Sequence, residues 1–310
     1  MPDSNSVTDS ASASADPSPS APRSLLGQYL SFLRSPSLTT PVSPPVSLRH
    51  RSLTILRLYS VHLMLVLMVG SVIGLLGTRD SNTAMDVFVQ LPAWLLFTLT
   101  VIAAPVVEEL IFRLPLRATA VNVTLPLSFV ALFALGAISI PPLIVFAIAL
   151  VLLGFNVYLW RSRPRLPKLQ RWYQHHPRLL FYGTTLAFGA LHITNYDPSV
   201  WQLMVLLVLP QTILGLWLGY VRLRYGFGWA VLGHAFHNGF VLSPILLIKI
   251  FGSPQLQTRW VNNPSTATLS VSEQLLVVAV SLGFLVGIIV GAIATWRLIQ
   301  DWRRDRAQPC

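Results

Sequence analysis

The chain has 310 residues, of which 53% are hydrophobic and only 11% charged, and its mean hydropathy of +0.62 excludes an ordinary soluble globular enzyme. Its one cysteine, Cys310, excludes an intramolecular disulfide and a Cys-x-x-Cys zinc or redox site. The net charge of +11 would suit nucleic acid, but the basic residues follow the loops between long apolar runs, so we expect no nucleic-acid partner.

The chain begins with a segment that has no helical apolar period. Residues 1–48 are rich in Ser, Pro and Ala, which predicts a disordered tail. A plastid transit peptide is the alternative, and Asp3, Asp9 and Asp16 argue against it because such peptides are poor in acids. We therefore expect a membrane domain over 49–300 and a cytoplasmic tail over 301–310.

Eight apolar runs follow the tail, separated by loops marked by Pro, Asn, Ser or charge. About 20 apolar residues in a helix cross a hydrocarbon core of about 30 Å, and a helix satisfies its backbone polar groups internally. The sequence therefore predicts an all-α, polytopic transmembrane helical bundle of about eight spans. Their approximate bounds are 58–77, 90–117, 122–138, 139–160, 178–196, 200–221, 227–250 and 274–296.

The Lys and Arg residues predict the orientation of these spans. With the N-terminus in the cytoplasm, all Lys and Arg from Arg49 onward fall on the cytoplasmic side except Arg79, Lys249 and Arg259, and an even number of spans returns the C-terminus there. The basic loop 161–178 is expected to lie on anionic membrane lipid, with an acidic partner as the alternative. A bacterial plasma membrane is the expected location, and a thylakoid or other organelle membrane is the alternative.

Two adjacent acids carry the strongest signal in the sequence. Of 11 acidic residues, only Glu108 and Glu109 lie within a predicted span. A charge at this depth costs at least about 2.5–3.5 kcal/mol, so these side chains need partners or a function, unless they are simply solvated at a helix end. Glu109 can pair with Arg113 one turn later, while Glu108 points about 100° away. Pro105 and Pro115 predict a bent or broken helix around them.

Histidines supply the complement to these acids. His192, His234 and Asn238 lie in later spans, and the last two share one helical face, where both can donate hydrogen bonds to a developing oxyanion. His62 and His237 are interpreted as structural, or for His62 interfacial. Counted from the cytoplasmic helix ends at 1.5 Å per residue, Glu108 lies at roughly 13 Å, His234 at roughly 10 Å and His192 at roughly 21 Å, so tilt or kinking is needed to bring them together.

Three motifs occur in chain order on separate helices: Glu-Glu-x-x-x-Arg from Glu108, Phe-x-x-x-His ending at His192, and His-x-x-x-Asn from His234. Over about residues 95–245 the chain thereby resembles the CPBP family of intramembrane proteases. This family includes type II CAAX prenyl endopeptidases and bacteriocin-processing, immunity or abortive-infection-like proteins. The resemblance implies an endopeptidase that cleaves a membrane-associated peptide or protein, with a CAAX-type prenylated substrate as the family default.

The resemblance also implies a role for each motif residue. Glu108 with His192 would activate the attacking water, His234 and Asn238 would stabilise the oxyanion, and Glu109 with Arg113 would support the site. No cofactor is required by this scheme. The family has also been labelled a metalloprotease family, and Zn²⁺ held by Glu108, His192 and His234 is the alternative.

The chain departs from the family pattern at two points. Leu114 stands where the family often has Gly, and the long gap between the first two motifs predicts an inserted hairpin over 122–160. HExxH and GxSxG motifs are absent, and no predicted span contains an aspartate for an aspartyl dyad. Two other functions stay open: a noncatalytic membrane scaffold or immunity protein of the same fold, and a proton-coupled transporter.

Overall fold

The computed structural model describes residues 24–38, 47–76, 82–138, 140–254, 256–257 and 269–307. Across these ranges the regular elements are helices, and one isolated antiparallel bridge joins Asn82 to Tyr196. The prediction of an all-α polytopic bundle is confirmed. The α-helices used below are α1 (Leu25–Arg34), α2 (Leu48–Leu75), α3 (Thr83–Gln90), α4 (Ala93–Phe97), α5 (Ala104–Phe112), α6 (Ala120–Gly136), α7 (Pro142–Ser162), α8 (Pro167–His175), α9 (Pro177–Leu191), α10 (Met204–Leu207), α11 (Leu209–Tyr225), α12 (Phe227–Phe251) and α13 (Val271–Ala307).

The number of membrane-length helices differs from the expected eight. Among the described residues, six helical segments are long and apolar enough to span a bilayer: Leu48–Leu75, Ala93–Leu116, Pro142–Ser162, Pro198–Tyr225, Phe227–Phe251 and Val271–Ala307. The other two predicted spans form α6 and α9, which have 17 and 15 residues. The α6 helix has the length of its predicted span, 122–138, whereas α9 is shorter than its predicted span, 178–196, because it gives way to a 3-10 turn at His192.

The predicted disordered tail over 1–48 is wrong for the residues of α1. Ser24 caps this helix through its side chain, and Leu26 and Tyr29 are buried. The Tyr29 ring lies 4.9 Å from the ring of Tyr220 in an edge-to-face contact, so apolar side chains at helical spacing dock α1 onto α11. Residues 1–23 and 39–46 of the predicted tail lie outside the described residues.

The C-terminal helix is longer than its predicted span. α13 has 37 residues, about 55 Å at 1.5 Å per residue, and it continues to Ala307. Its last turns carry Arg303, Arg304 and Arg306, so most of the predicted cytoplasmic tail over 301–310 is a helical extension. Residues 308–310, with Cys310, lie outside the described residues.

The core is built around α11. Trp217, Leu218 and Tyr220 are at most 1% exposed, and α2, α9 and α12 pack against this helix. Gly189 permits the contact between α9 and α11, because a Cβ at that position would lie 2.2 Å from the Thr212 hydroxyl. A small residue at this place in the second motif therefore lets the two helices approach closely.

Candidate active site

The helix that carries the two glutamates is irregular on both sides of them. The segment Thr98–Ala103 is a π-helix between α4 and α5, and α5 ends at Phe112, just before the 3-10 turn Leu114–Leu116. Pro105 contributes to the formation of this π-helix, because its ring crowds the carbonyl one turn earlier and it has no amide hydrogen to donate. The broken helix predicted from the two prolines is therefore observed as an α-helix between a π-helix and a 3-10 turn.

The π-turn leaves one carbonyl for a side chain of another helix. The amide of Ala104 donates to the carbonyl of Leu99, and the next bond of this kind would run from residue 105 to the carbonyl of Thr100. Pro105 cannot donate it. Asn238 does so instead, with its Nδ2 2.8 Å from the Thr100 oxygen. One amide hydrogen of the predicted oxyanion donor is therefore used by the backbone, and the other is left for the cavity.

Glu109 is the buried member of the glutamate pair. Its side chain is 0% exposed, and that of Arg113 is 1% exposed. The Nε of Arg113 lies 3.7 Å from Oε2 of Glu109, and the other oxygen, Oε1, lies 3.0 Å from Nδ1 of His234, within hydrogen-bonding distance. Gly215 leaves room for this arrangement, because a Cβ there would lie 3.0 Å from the guanidinium. Glu109 thus links α5 to α12.

Glu108 lies between two imidazoles. Its side chain is 20% exposed, and its Oε2 is 3.9 Å from Nε2 of His192 and 3.7 Å from Nε2 of His234. Within the described ranges no donor lies within hydrogen-bonding distance of this oxygen. Separations of this size between polar atoms fit a bridging water. The structure therefore brings all three residues to one point.

The second motif orients both imidazoles. Nδ1 of His192 lies 2.8 Å from the carbonyl of Phe188, and this contact directs Nε2 toward Glu108. The Phe188 ring packs edge-on against the rings of His192 and His234, at 4.9 and 5.7 Å, and Arg113 lies over its face at 3.9 Å. His192 reaches Glu108 despite the difference in expected depth, because it begins the 3-10 turn at the end of the short helix α9.

Two arginines that the sequence analysis did not single out secure the end of the glutamate helix. Arg222 donates from Nε to the carbonyl of Arg113 at 3.0 Å and from its terminal nitrogen to that of Leu114 at 3.4 Å. Arg117 donates in return to the carbonyl of Leu223 at 2.7 Å. Helix C-terminal carbonyls lack intrahelical donors, so cations are favourable there. The only sequence signal was basic residues at the ends of two spans.

A cavity of about 500 Å³ extends from these groups to the start of α3 and to the 3-10 turn that follows α9. Its lining includes Glu108, His192, His234 and Asn238, together with residues from 82–88 and 194–196. The predicted orientation assigns both of these segments to the non-cytoplasmic side. The cavity lies along the part of the glutamate helix that precedes Glu108, since Thr100 and Ala104 also line it.

A further layer of aromatic and imidazole rings backs the cavity. His62 is 3% exposed and stacks on Trp217 at 5.9 Å, so it is buried and not interfacial. The ring of His237 lies 5.2 Å from that of His62, and its Nδ1 is 3.1 Å from the Tyr59 hydroxyl. These contacts agree with the structural interpretation of both histidines.

The zinc alternative finds no support in this geometry. Within the described ranges, no group of three or more His, Cys, Asp or Glu side chains is arranged to hold a metal ion. The metalloprotease label is therefore not supported, and the zinc alternative through Glu108, His192 and His234 stays a prediction.

Comparison with protein families gives one match. The model described as type II CAAX prenyl endopeptidase Rce1-like matches residues 90–240, which run from the end of α3 into α12 and contain all three motifs. Comparison with curated proteins and with solved structures finds no match.

Proposed function

We propose that Glu108 is the general base of a peptide-bond hydrolysis inside the membrane. The starting point is that residues 90–240 belong to the Rce1-like family of type II CAAX prenyl endopeptidases. The family supports a CAAX-type protease. The proposal adds the mechanism and a membrane-associated substrate, with a prenylated CAAX-type peptide as the first candidate.

One observation carries the proposal. The Oε2 atom of Glu108, which accepts no hydrogen bond from the described residues, lies 3.7–3.9 Å from the Nε2 atoms of His234 and His192. These atoms line a cavity large enough for a peptide segment. A water at this point can donate one hydrogen to the carboxylate and keep an oxygen lone pair for attack. Groups held this close lower the entropic part of the barrier.

The reaction follows from these positions. Glu108 takes a proton from the water as its oxygen attacks the carbonyl carbon of the scissile bond, and the carbonyl oxygen becomes an oxyanion. Nε2 of His234 and the second amide hydrogen of Asn238 donate to that oxyanion. Glu108 then gives the proton to the departing amine, the C–N bond breaks, and the carboxylate is restored.

Glu109 sets the protonation of His234 for this step. If Nδ1–H of His234 donates to a Glu109 carboxylate, Nε2 donates to the oxyanion only in the imidazolium form. If Glu109 itself holds the proton and donates to Nδ1, the neutral imidazole carries its hydrogen on Nε2. Both arrangements require Glu109 next to the ring.

The test is cleavage of prenylated and unprenylated CAAX peptides by purified wild type and Glu108→Gln. The amide has the shape of the carboxylate but cannot accept the proton, so kcat should fall by about 10²- to 10⁴-fold. Asp301→Asn, which removes an exposed acid from α13, is the matched control and should cleave as wild type does. Full cleavage by a folded Glu108→Gln would disprove the mechanism. A biological activity that survives the substitution, with no cleavage by wild type, would favour the scaffold.

A further inference from the structure

A second cavity, of about 440 Å³, lies between the start of α6, the end of α7 and α8. It shares no lining residue with the cavity that holds Glu108. The polar and aromatic side chains that line it include Asn122, Trp160, Arg163, Arg165 and Gln170.

This second cavity has an unbalanced positive charge. Two arginines and no acidic residue line it, and the sequence contains no Asp or Glu between Glu109 and Asp197. Within the described ranges neither Arg163 nor Arg165 takes part in an ion pair. Two guanidinium groups on one cavity repel each other, and an anion between them would turn the repulsion into attraction.

The backbone is arranged to bring both arginines to the cavity. Arg163 ends α7 in the left-handed region, with φ of 44° and ψ of 52°, an unfavourable conformation for a residue with a side chain. Pro164 follows it and restricts the next turn. The left-handed residue ends α7 with its amide bonded to the Leu159 carbonyl, and after this turn Arg163, Pro164 and Arg165 all line the cavity.

The start of α6 adds partial positive charge to the same cavity. Residues 119–122 line it, and they form the N-cap and first turn of this 17-residue helix. The Thr119 side chain accepts from the amide of Asn122, and the other first-turn amides have no acceptor within the helix. Amides at a helix N-terminus favour an anion, and arginine forks match the oxygens of phosphate.

The location favours a lipid over a soluble ligand. α7 is a candidate membrane span, and the cavity lies at its end, where phospholipid headgroups are found. Trp160 is 60% exposed there, as is typical of an indole at headgroup level, and Val151 and Phe155 form an exposed apolar surface further along the helix. We propose that this cavity binds the phosphate of an anionic glycerophospholipid, whose acyl chains lie along α6 and α7.

The proposal is tested on the full chain, purified in neutral detergent and titrated with phosphatidylglycerol. Native mass spectrometry and thermal stability are the readouts, with phosphatidylcholine as the reference lipid. The wild type should bind one phosphatidylglycerol saturably. The double variant Arg163→Gln with Arg165→Gln should lower the affinity about 30-fold, which is the usual contribution of a basic residue near an anionic lipid surface counted for both arginines. Replacing both arginines by Lys should recover part of the affinity.

The matched control removes the same charge outside the cavity. Arg161→Gln with Arg171→Gln changes two arginines of the same basic loop that do not line the cavity, and it should leave affinity within about twofold of wild type. Equal losses in the two double variants, or no saturable binding, would overturn the site. Inorganic phosphate or a polyglutamate peptide that stabilises the protein as strongly as the lipid would overturn the lipid as the ligand.

Discussion

Replacement of Arg113 by Met tests whether the ion pair beneath the site is a structural requirement. The two side chains are 1% and 0% exposed, so loss of the cation leaves the Glu109 carboxylate buried with His234 as its remaining partner. Removing one member of a buried pair costs about 3–5 kcal/mol, against about 0–1 kcal/mol for an exposed pair. Met keeps much of the packing on Phe188, so most of this loss should come from charge.

The measurement is unfolding in mixed detergent and dodecyl sulfate micelles, for Arg113→Met, Glu109→Leu and the double variant. A buried pair replaced by two apolar residues is often near neutral, so the double variant should be more stable than Arg113→Met alone. Cleavage should stay low in all three variants, because His234 loses its partner or its orientation. A loss below about 1 kcal/mol in Arg113→Met, or strict additivity in the double variant, would refute the buried pair as described.

Three further predictions concern packing, metal dependence and orientation. Gly189→Ala should lower kcat by about 10²-fold by forcing α9 away from α11. A Cβ at Gly183 on the same helix meets no neighbour within 4 Å, so Gly183→Ala should stay near wild type, and equal effects would contradict the packing role. Cleavage should survive dialysis against a zinc chelator, and activity that returns only with added Zn²⁺ would contradict the glutamate mechanism. In a Cys310→Ser background, a membrane-impermeant maleimide should label Asp86→Cys on intact cells and Asp301→Cys only after permeabilisation; the reverse pattern would invert the predicted topology.

The sequence alone predicted which charged and imidazole side chains lie together better than it predicted their surroundings. The two glutamates were conspicuous because charge is rare within apolar spans, and the positions of His192 and His234 followed from motif order. Helix-end capping by Arg222 could not be predicted, because the carbonyls that it binds belong to a helix distant in the chain.

The errors in the fold predictions have local causes. The span at α9 was predicted too long, because hydropathy does not register where a helix changes to a 3-10 turn. The α1 helix was missed, because its apolar residues lie in a Ser- and Pro-rich segment and are stabilised by contacts such as that of Tyr29 with Tyr220. The average composition of the N-terminal segment does not reveal a short amphipathic helix within it.

The bond from Asn238 to the Thr100 carbonyl affects how substitutions at this asparagine are to be read. Asn238→Ala would remove a donor to the oxyanion and would also take away the side-chain donor of the Thr100 carbonyl, so lost turnover would mix chemistry with distortion of the π-helical turn. Pro105→Ala restores an amide hydrogen at residue 105, which can be donated to the Thr100 carbonyl. Comparing Asn238→Ala in both backgrounds would separate the two contributions.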